Sequence, residues 1–202
     1  MNTRESSDAL PRRGGRAGRW CWQLFLRLLG WEFEGEVPNL PRFVVIGAPH
    51  TSNWDFVIAM AIIGALDLRV TWLGKHTLFR WPFRAVMLRL GGIPVDRREP
   101  HGFVARAVLA FESEERLIIG ITPEGTRKRT TRWKTGFYHI AVAASVPVVP
   151  GYIDFSRRRV GMGPPMMPTG DIEADLKKLR GFYAPFADAG RRPGLFGLGE
   201  DA

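Results

Sequence analysis

Short apolar runs alternate with longer helix-like segments from Arg42 to Asp154, and this alternation restricts the possible folds more than any other feature. The apolar runs have the length of buried strands, and the segments between them have the apolar spacing of helices. This order of elements is typical of an α/β domain, a mixed and largely parallel sheet flanked by helices. The 202 residues are enough for one such domain and too few for two.

Individual elements can be predicted within this pattern. Strands are predicted at 43–47, 69–73, 117–122 and 146–154, and helices at 54–66, 82–90, 101–113 and 135–144. Residues 1–18, rich in Arg, Gly, Ser and Pro, are predicted to be a disordered basic arm, and the glycine-rich residues 189–202 a flexible tail. The domain proper is therefore assigned to residues 36–188.

The segment 19–35 is predicted to be an amphipathic helix. Its polar residues recur every three or four positions in one narrow stripe, and tryptophans at 20, 22 and 31 lie among the apolar residues. Basic flanks and Trp anchors are typical of a helix in a membrane interface, but a helix packed on the protein's own core shows a similar apolar face. The sequence leaves both open. The longest apolar run, 56–66, is shorter than the roughly 18 to 20 residues that span a bilayer.

The charge balance indicates an anionic partner. There are 29 Lys and Arg against 20 Asp and Glu, a net charge of +9, of which +4 lies in the first 30 residues. Nucleic acid, an anionic membrane and a phosphorylated substrate are all compatible with this charge. Nucleic acid is disfavoured because the aromatic residues lie in apolar helices and do not alternate with basic residues. The single cysteine, Cys21, excludes an intramolecular disulfide framework and fits a reducing compartment.

A histidine and an aspartate five positions apart follow the first predicted strand. On one helix they would point roughly 140° apart, but they can meet if His50 lies in the loop and Asp55 in the first helical turn, with Ser52 or Asn53 as the N-cap. Asp55 could then accept the proton of one imidazole nitrogen, leaving the other to take a proton from a hydroxyl. The alternative is that the Asp55 carboxylate only interacts favourably with the helix dipole and that His50 is an ordinary loop residue.

Four segments of the chain together resemble a known family. They are His50-x-x-x-x-Asp55, Gly92-Ile93-Pro94-Val95-Asp96-Arg97, Pro123-Glu124-Gly125-Thr126-Arg127 and Val146-Pro147-Val148-Val149-Pro150. In order and spacing they resemble the sequence blocks of the glycerolipid acyltransferases, whose best-known members are the 1-acylglycerol-3-phosphate acyltransferases. Lys75, with Leu78, Pro82 and Gly91-Gly92 after it, looks like the family's linking stretch.

The resemblance implies a role for each of these residues. His50 would be the general base and Asp55 its orienting partner, so that an acceptor hydroxyl attacks a thioester without a covalent acyl-enzyme. Arg97 and Arg127 would bind the acceptor's phosphate, beside Gly125 and Thr126, with Glu124 holding an arginine or the acceptor hydroxyl. The alternatives are an Arg97 salt bridge to Asp96 or Glu99 and a simple turn at Gly125. Lys75 is predicted either to contact phosphate or pantetheine or to be solvated.

The resemblance also implies a reaction and its partners. A fatty acyl group would pass from acyl-CoA or acyl carrier protein to the free hydroxyl of a lysophospholipid, first of all 1-acylglycerol-3-phosphate, with no metal or redox cofactor. Another lyso-lipid, a lyso-aminolipid or a lipid-linked polyol is an alternative acceptor. The protein is expected to bind peripherally to the anionic cytoplasmic face of a membrane. It is not expected to bind nucleic acid. Residues 78–90 mix apolar residues with three arginines and could face the membrane beside 19–31, or form a core helix.

Overall fold

The computed structural model describes residues 8–95, 100–126, 130 and 132–194. These residues contain a seven-stranded sheet whose spatial order is β1-β7-β6-β2-β5-β3-β4. The strands are β1 Glu32–Glu34, β2 Arg42–Gly47, β3 Val70–Lys75, β4 Gly92–Val95, β5 Leu117–Ile121, β6 Val148–Asp154 and β7 Arg159–Met162. Strands β6, β2, β5, β3 and β4 run parallel to one another, whereas β7 is antiparallel to β6 and β1 runs parallel to β7.

Helices cover both faces of the sheet. They are α1 Arg16–Leu28, α2 Asn53–Ala65, α3 Arg84–Arg89, α4 Pro100–Ser113, α5 Gly136–Ala143 and α6 Ile172–Tyr183, with short 3₁₀ turns at His76–Phe79 and Ala184–Phe186. Successive side chains of β2 point to opposite faces, as the period of a strand requires. Phe43 packs in the core on the α2 side, and Val44 and Ile46 pack in the core formed with α4, α5 and α6.

The predicted fold class is confirmed, because the sheet is mixed, mostly parallel and flanked by helices. The predicted strands and helices between residues 43 and 154 all form, with boundaries shifted by two residues or fewer. Three elements of the sheet, β1, β4 and β7, were not predicted, and neither was α6. The predicted helix 19–35 is too long at its carboxyl end, since α1 ends at Leu28 and residues 32–34 form the edge strand β1.

The start of the chain differs from the predicted disordered arm of residues 1–18. From residue 8 onward it is fixed by distant parts of the fold. Leu10 is buried, the Arg13 N–H donates to the Asp67 carbonyl at 3.1 Å, and the Gly14 N–H donates to the Asp67 carboxylate at 3.1 Å. These contacts lead directly into α1, which begins at Arg16. Composition did not reveal them because the partners lie far along the chain, Asp67 being 53 residues from Gly14.

Helix α1 packs on α2 along one face and exposes apolar side chains on another. Trp22 lies directly over Gly64, the Gln23 side-chain amide donates to the Ala65 carbonyl at 3.2 Å, and Leu26 is buried. The exposed apolar stripe consists of Trp20, Leu24 and Leu28, with the exposed Arg16, Arg19 and Arg27 along one side of it. The helix therefore packs one face on the protein's own core, as one of the two predicted alternatives required. It also exposes an apolar stripe on another face. Among the described residues, no helix is long and apolar enough to cross a membrane.

Candidate active site

The candidate site residues follow neighbouring parallel strands of the sheet. Strand β5 lies between β2 and β3, with Ile46 of β2 opposite Ile121 and Trp72 of β3 opposite Gly120. The carboxyl ends of parallel strands meet at one edge of a sheet, where open α/β folds bind their ligands. The loops that follow β2 and β5, and Lys75 at the end of β3, are therefore at this carboxyl edge.

His50 and Asp55 form the predicted pair. The imidazole Nδ1 of His50 lies 3.2 Å from Oδ2 of Asp55. The Asp55 side chain is buried, at 3% exposure, whereas that of His50 is 22% exposed. An ionised carboxylate only accepts hydrogen bonds, so this contact places a proton on Nδ1, and in the neutral imidazole Nε2 is then the acceptor. In the described part of the chain, no hydrogen bond is made to Nε2.

The aspartate also fixes the loop around the histidine. Asp55 Oδ2 accepts the backbone N–H groups of Thr51 at 2.6 Å and Ser52 at 2.7 Å, and Oδ1 accepts the Ser52 hydroxyl at 3.2 Å. The Ser52 Oγ accepts the N–H of Trp54 at 3.0 Å, which makes Ser52 the N-cap of α2 in a capping box with Asp55. Of the two caps that the sequence offered, Ser52 is therefore the one used. The same carboxylate starts the helix and orients the imidazole.

Glu124 supports the histidine from the neighbouring loop. Its Oε1 accepts the backbone N–H of His50 at 2.8 Å, and its side chain is only 2% exposed. Burial raises the pKa of Glu124 from 4.5 to about 8, the hydrogen bond from His50 lowers the pKa, and the negative charge of Asp55 raises it. The prediction paired Glu124 with an arginine or an acceptor hydroxyl. Among the described residues, its carboxylate accepts a hydrogen bond from the backbone of the His50 loop, and a contact with Arg97, Arg127 or an acceptor hydroxyl stays a prediction.

Both the backbone conformation at position 125 and a neighbouring side chain require glycine there. Its φ is +60°, a left-handed conformation, and its N–H donates to the Thr122 carbonyl at 3.1 Å. A Cβ at this position would lie 2.9 Å from Cδ of Lys134, so the glycine also makes room for the stem of that lysine. The Lys134 N–H donates to the Pro123 carbonyl at 2.7 Å, which anchors Lys134 at this loop.

Comparison with known sequences identifies the family. A sequence model of the family described as Acyltransferase matches residues 32–154, more than half of the chain. The chain belongs to this acyltransferase family. The matched span includes the His50–Asp55 loop, Lys75 and the Glu124-Gly125-Thr126 turn.

Curated relatives and a solved structure agree with the family. A 1-acyl-sn-glycerol-3-phosphate acyltransferase of Escherichia coli K12 is 33% identical over 122 residues, 57% of this chain and 48% of the relative. The enzyme of the same name from Haemophilus influenzae is 28% identical over 163 residues, 75% of this chain and 65% of the relative. The chain thus spans about half the length of the first relative. The crystal structure of the 1-acyl-sn-glycerophosphate (LPA) acyltransferase PlsC from Thermotoga maritima has the same fold, with a TM-score of 0.59 at 20% identity, over 87% of this chain and 81% of that one.

Of the other predicted site residues of this acyltransferase-family chain, two lie among the described residues and two do not. Lys75 is exposed at the end of β3, opposite Val95 in the sheet register. Thr126 is half-buried next to Gly125. Arg97 and Arg127, the predicted phosphate ligands, lie outside the described residues. Among the residues that the structure describes, no three His, Cys, Asp or Glu side chains are grouped to hold a metal ion.

Sequence reasoning missed the contacts that Lys134, Thr51 and Arg192 make. The side chain of Lys134 is exposed, and its stem lies against Gly125. Thr51 is buried, and its hydroxyl oxygen accepts the N–H of Arg192 at 3.2 Å. Residue 192 belongs to the predicted flexible tail, whose first residues are therefore packed against the fold. No local sequence signal marks the contact between Thr51 and Arg192, because these residues are 141 positions apart in the chain.

Proposed function

We propose that this protein transfers a fatty acyl group from a thioester to a lipid hydroxyl, with His50 as the general base. One observation carries the proposal: the His50 Nδ1 lies 3.2 Å from the carboxylate of the buried Asp55, while the His50 side chain is 22% exposed. This is the arrangement that a base needs in order to take a proton from a hydroxyl. Family membership supports the reaction class.

The proposed reaction is a direct displacement. His50 Nε2 removes the proton of the acceptor hydroxyl as the oxygen attacks the thioester carbonyl, and Asp55 stabilises the imidazolium that forms. The tetrahedral intermediate then collapses, a C–O bond remains and the C–S bond breaks. The imidazolium returns its proton to the departing thiolate. The products are an ester and a free thiol, and the protein carries no acyl group at any stage.

The proposed acceptor is 1-acylglycerol-3-phosphate, and the proposed donor is acyl-CoA or acyl carrier protein. The relatives from Escherichia coli and Haemophilus influenzae, both named 1-acyl-sn-glycerol-3-phosphate acyltransferase, support this acceptor. Exposed Lys75 and Lys134 at the carboxyl edge supply positive charge for a phosphate, and we assign Arg97 and Arg127 as its guanidinium ligands from the sequence. The second candidate is the same transfer to a lyso-lipid or lipid-linked polyol without a phosphate monoester.

An acceptor panel tests this proposal. Purified protein is incubated with palmitoyl-CoA or palmitoyl-acyl carrier protein and one lyso-lipid at a time in detergent micelles, and the acylated lipids are identified by mass spectrometry. We expect phosphatidic acid from 1-acylglycerol-3-phosphate and little product from acceptors that lack a phosphate monoester. Arg127→Ala should raise KM for the phosphorylated acceptor selectively. A preference for an uncharged acceptor, unaffected by Arg127→Ala, would instead support the second candidate. No ester product with any acceptor would refute the proposal.

We further propose that the protein binds peripherally to an anionic membrane. The contact is made by the layer of helices on the α2 face of the sheet. The exposed apolar residues Leu78, Trp81, Phe83, Val86 and Leu88 form a surface that we name the 78–88 patch, and Trp81 is 91% exposed. Arg80, Arg84 and Arg89 are exposed within and beside this patch. Apolar side chains among arginines suit the boundary between acyl chains and lipid phosphates.

The α1 stripe supports the same orientation. Both α1 and the segment 76–90 lie on the α2 face of the sheet, α1 through Trp22 against Gly64 and the other segment through Phe79 against Trp72. A membrane that covers this layer would also reach the amino end of α2, beside His50, so that a lyso-lipid could present its hydroxyl without leaving the surface. We place the protein on the cytoplasmic face, where the exposed free thiol of Cys21 stays reduced.

A further inference from the structure

Residues 189–192 form a short segment, which we name the strap, that lies across the outside of the His50 loop. At its start, the Ala189 carbonyl accepts the N–H of Phe155 at 2.8 Å, which ties the strap to the residue after β6. At its end, the Arg192 N–H donates to Thr51 Oγ1 at 3.2 Å. Ala189 is buried. The strap is therefore anchored at both ends although it has no regular secondary structure.

Gly190 and Arg191 complete the contact with the loop. A Cβ on Gly190 would lie 2.8 Å from Cγ2 and 2.9 Å from Oγ1 of Thr51, and 3.4 Å from Cγ of Pro49. The Arg191 guanidinium carbon lies 5.0 Å from the centre of the Trp54 ring, within cation–π distance. The residues on both sides of His50, and the helix turn that carries Asp55, are thus all covered by four consecutive residues of the chain.

Thr51 connects the strap to the histidine–aspartate pair. Its hydroxyl oxygen faces Arg192, and its own N–H donates to the same Asp55 Oδ2 that accepts His50 Nδ1. A displacement of Thr51 therefore changes the set of donors around that oxygen. It also moves the backbone that carries the adjacent imidazole. The strap restrains Thr51 from the outer side, whereas Asp55 restrains it from the inner side.

We propose that the strap is a positioning element for His50, which it keeps in the Nδ1–H tautomer and at hydrogen-bonding distance from Asp55. The consequence for catalysis rests on the proposed acyl transfer, in which Nε2 must lie close to the acceptor hydroxyl. A misplacement of about 1 Å in a reacting group can cost on the order of a hundredfold in rate. Loss of the strap contacts should therefore lower kcat while the sites for lipid and thioester keep their affinity.

A pair of glycine substitutions tests the proposal. Gly190→Ala forces the strap and Thr51 apart, and because the φ of Gly190 is not positive the backbone itself tolerates alanine. The matched control is Gly181→Ala, an exposed position on α6 where a Cβ would meet no atom within 4 Å. We expect Gly190→Ala to lower kcat about tenfold or more with KM changed less than about threefold. The control should retain the wild-type values.

A spectroscopic measurement makes the test independent of turnover. The ¹⁵N shifts of the His50 ring, assigned by their loss in His50→Gln, report which ring nitrogen carries the proton. The wild type and Gly181→Ala should show the Nδ1–H tautomer, and Gly190→Ala should show a mixture of tautomers. If the wild type transfers no acyl group, the proposed function fails, and the ring shifts alone still decide the role of the strap.

Substitutions of Thr51 provide a second route if Gly190→Ala does not fold. Thr51→Val removes the oxygen that accepts the Arg192 N–H at nearly constant volume, whereas Thr51→Ser retains it. We expect Thr51→Val to reproduce the mixed tautomers and Thr51→Ser to restore the single tautomer. Unchanged ring shifts in both Gly190→Ala and Thr51→Val would overturn the proposal, as would a tautomer change of equal size in the Gly181→Ala control.

Discussion

The carboxylate of Glu124 accepts the backbone N–H of His50 at 2.8 Å, which joins two loops that are 74 residues apart in the chain. Strands β2 and β5 are direct neighbours in parallel register, so the loops that follow them lie side by side. The side chain of Glu124, from one of the four sequence segments, therefore supports the backbone of another segment at His50. In this arrangement Glu124 contacts His50 directly, in addition to any contact that it makes with a ligand.

The raised pKa of Glu124 predicts a specific pH dependence of stability. Because its pKa is about 8 in the folded protein and 4.5 ordinarily, the folded state holds the proton more tightly than the unfolded state. The stabilisation from this bound proton is complete below pH 4.5 and is lost as the pH rises towards 8, by up to about 5 kcal/mol. Wild-type protein should therefore lose stability across this range relative to Glu124→Gln.

Urea unfolding of both proteins at several pH values between 5 and 9 measures this difference. Glutamine keeps an oxygen that can accept the His50 N–H but cannot ionise, so it isolates the titration from the hydrogen bond. The free energy of unfolding of Glu124→Gln minus that of the wild type should grow with pH. If the two proteins show parallel pH profiles, Glu124 does not titrate in this range.

The close packing of α1 on α2 predicts a stability effect at Gly64. A Cβ on this glycine would overlap the Trp22 ring, and the tight helix contact leaves the ring little room to move. We expect Gly64→Ala to lower the free energy of unfolding by about 1 to 3 kcal/mol. Gly181→Ala, in the open part of α6, should instead be neutral or slightly stabilising. Equal melting temperatures for the two variants would show that α1 does not pack on α2 in solution.

The 78–88 patch predicts binding to anionic vesicles. Trp81→Ala removes a large apolar side chain that is 91% exposed, and burial of such a side chain contributes about 1.5 to 3 kcal/mol. Partitioning into phosphatidylglycerol vesicles, measured by co-sedimentation, should fall about tenfold or more. The wild type should also bind more weakly at high salt, because the arginines beside the patch interact with lipid phosphates through a screened field.

The control for this prediction is Leu109→Ala on α4. Leu109 is also an exposed apolar residue, but its helix lies on the opposite face of the sheet. Its substitution should leave vesicle binding unchanged. An equal loss for Leu109→Ala and Trp81→Ala would contradict a defined membrane face.

Local patterns offered the His50–Asp55 contact as one of two alternatives and were sufficient to predict most of the central domain. A pair that closes within one loop and one helical turn depends only on adjacent sequence, and the apolar period defines α2 and the buried strands. The partner of Glu124 could not be predicted in this way, because it depends on which strands become neighbours. Residues 10–14 were predicted to be disordered and the strap to be flexible for the same reason: contacts such as those of Gly14 with Asp67 and of Arg192 with Thr51 join positions far apart in the chain.

The most direct test of the proposed mechanism is the rate of thiol release from palmitoyl-CoA in the presence of 1-acylglycerol-3-phosphate, compared between the wild type and His50→Ala. A general base contributes on the order of 10² to 10⁴ in rate. We predict that His50→Ala folds, with a circular dichroism spectrum like that of the wild type, and releases thiol at least about a hundredfold more slowly. A folded His50→Ala that releases thiol within about threefold of the wild-type rate would contradict the assignment of His50 as the base.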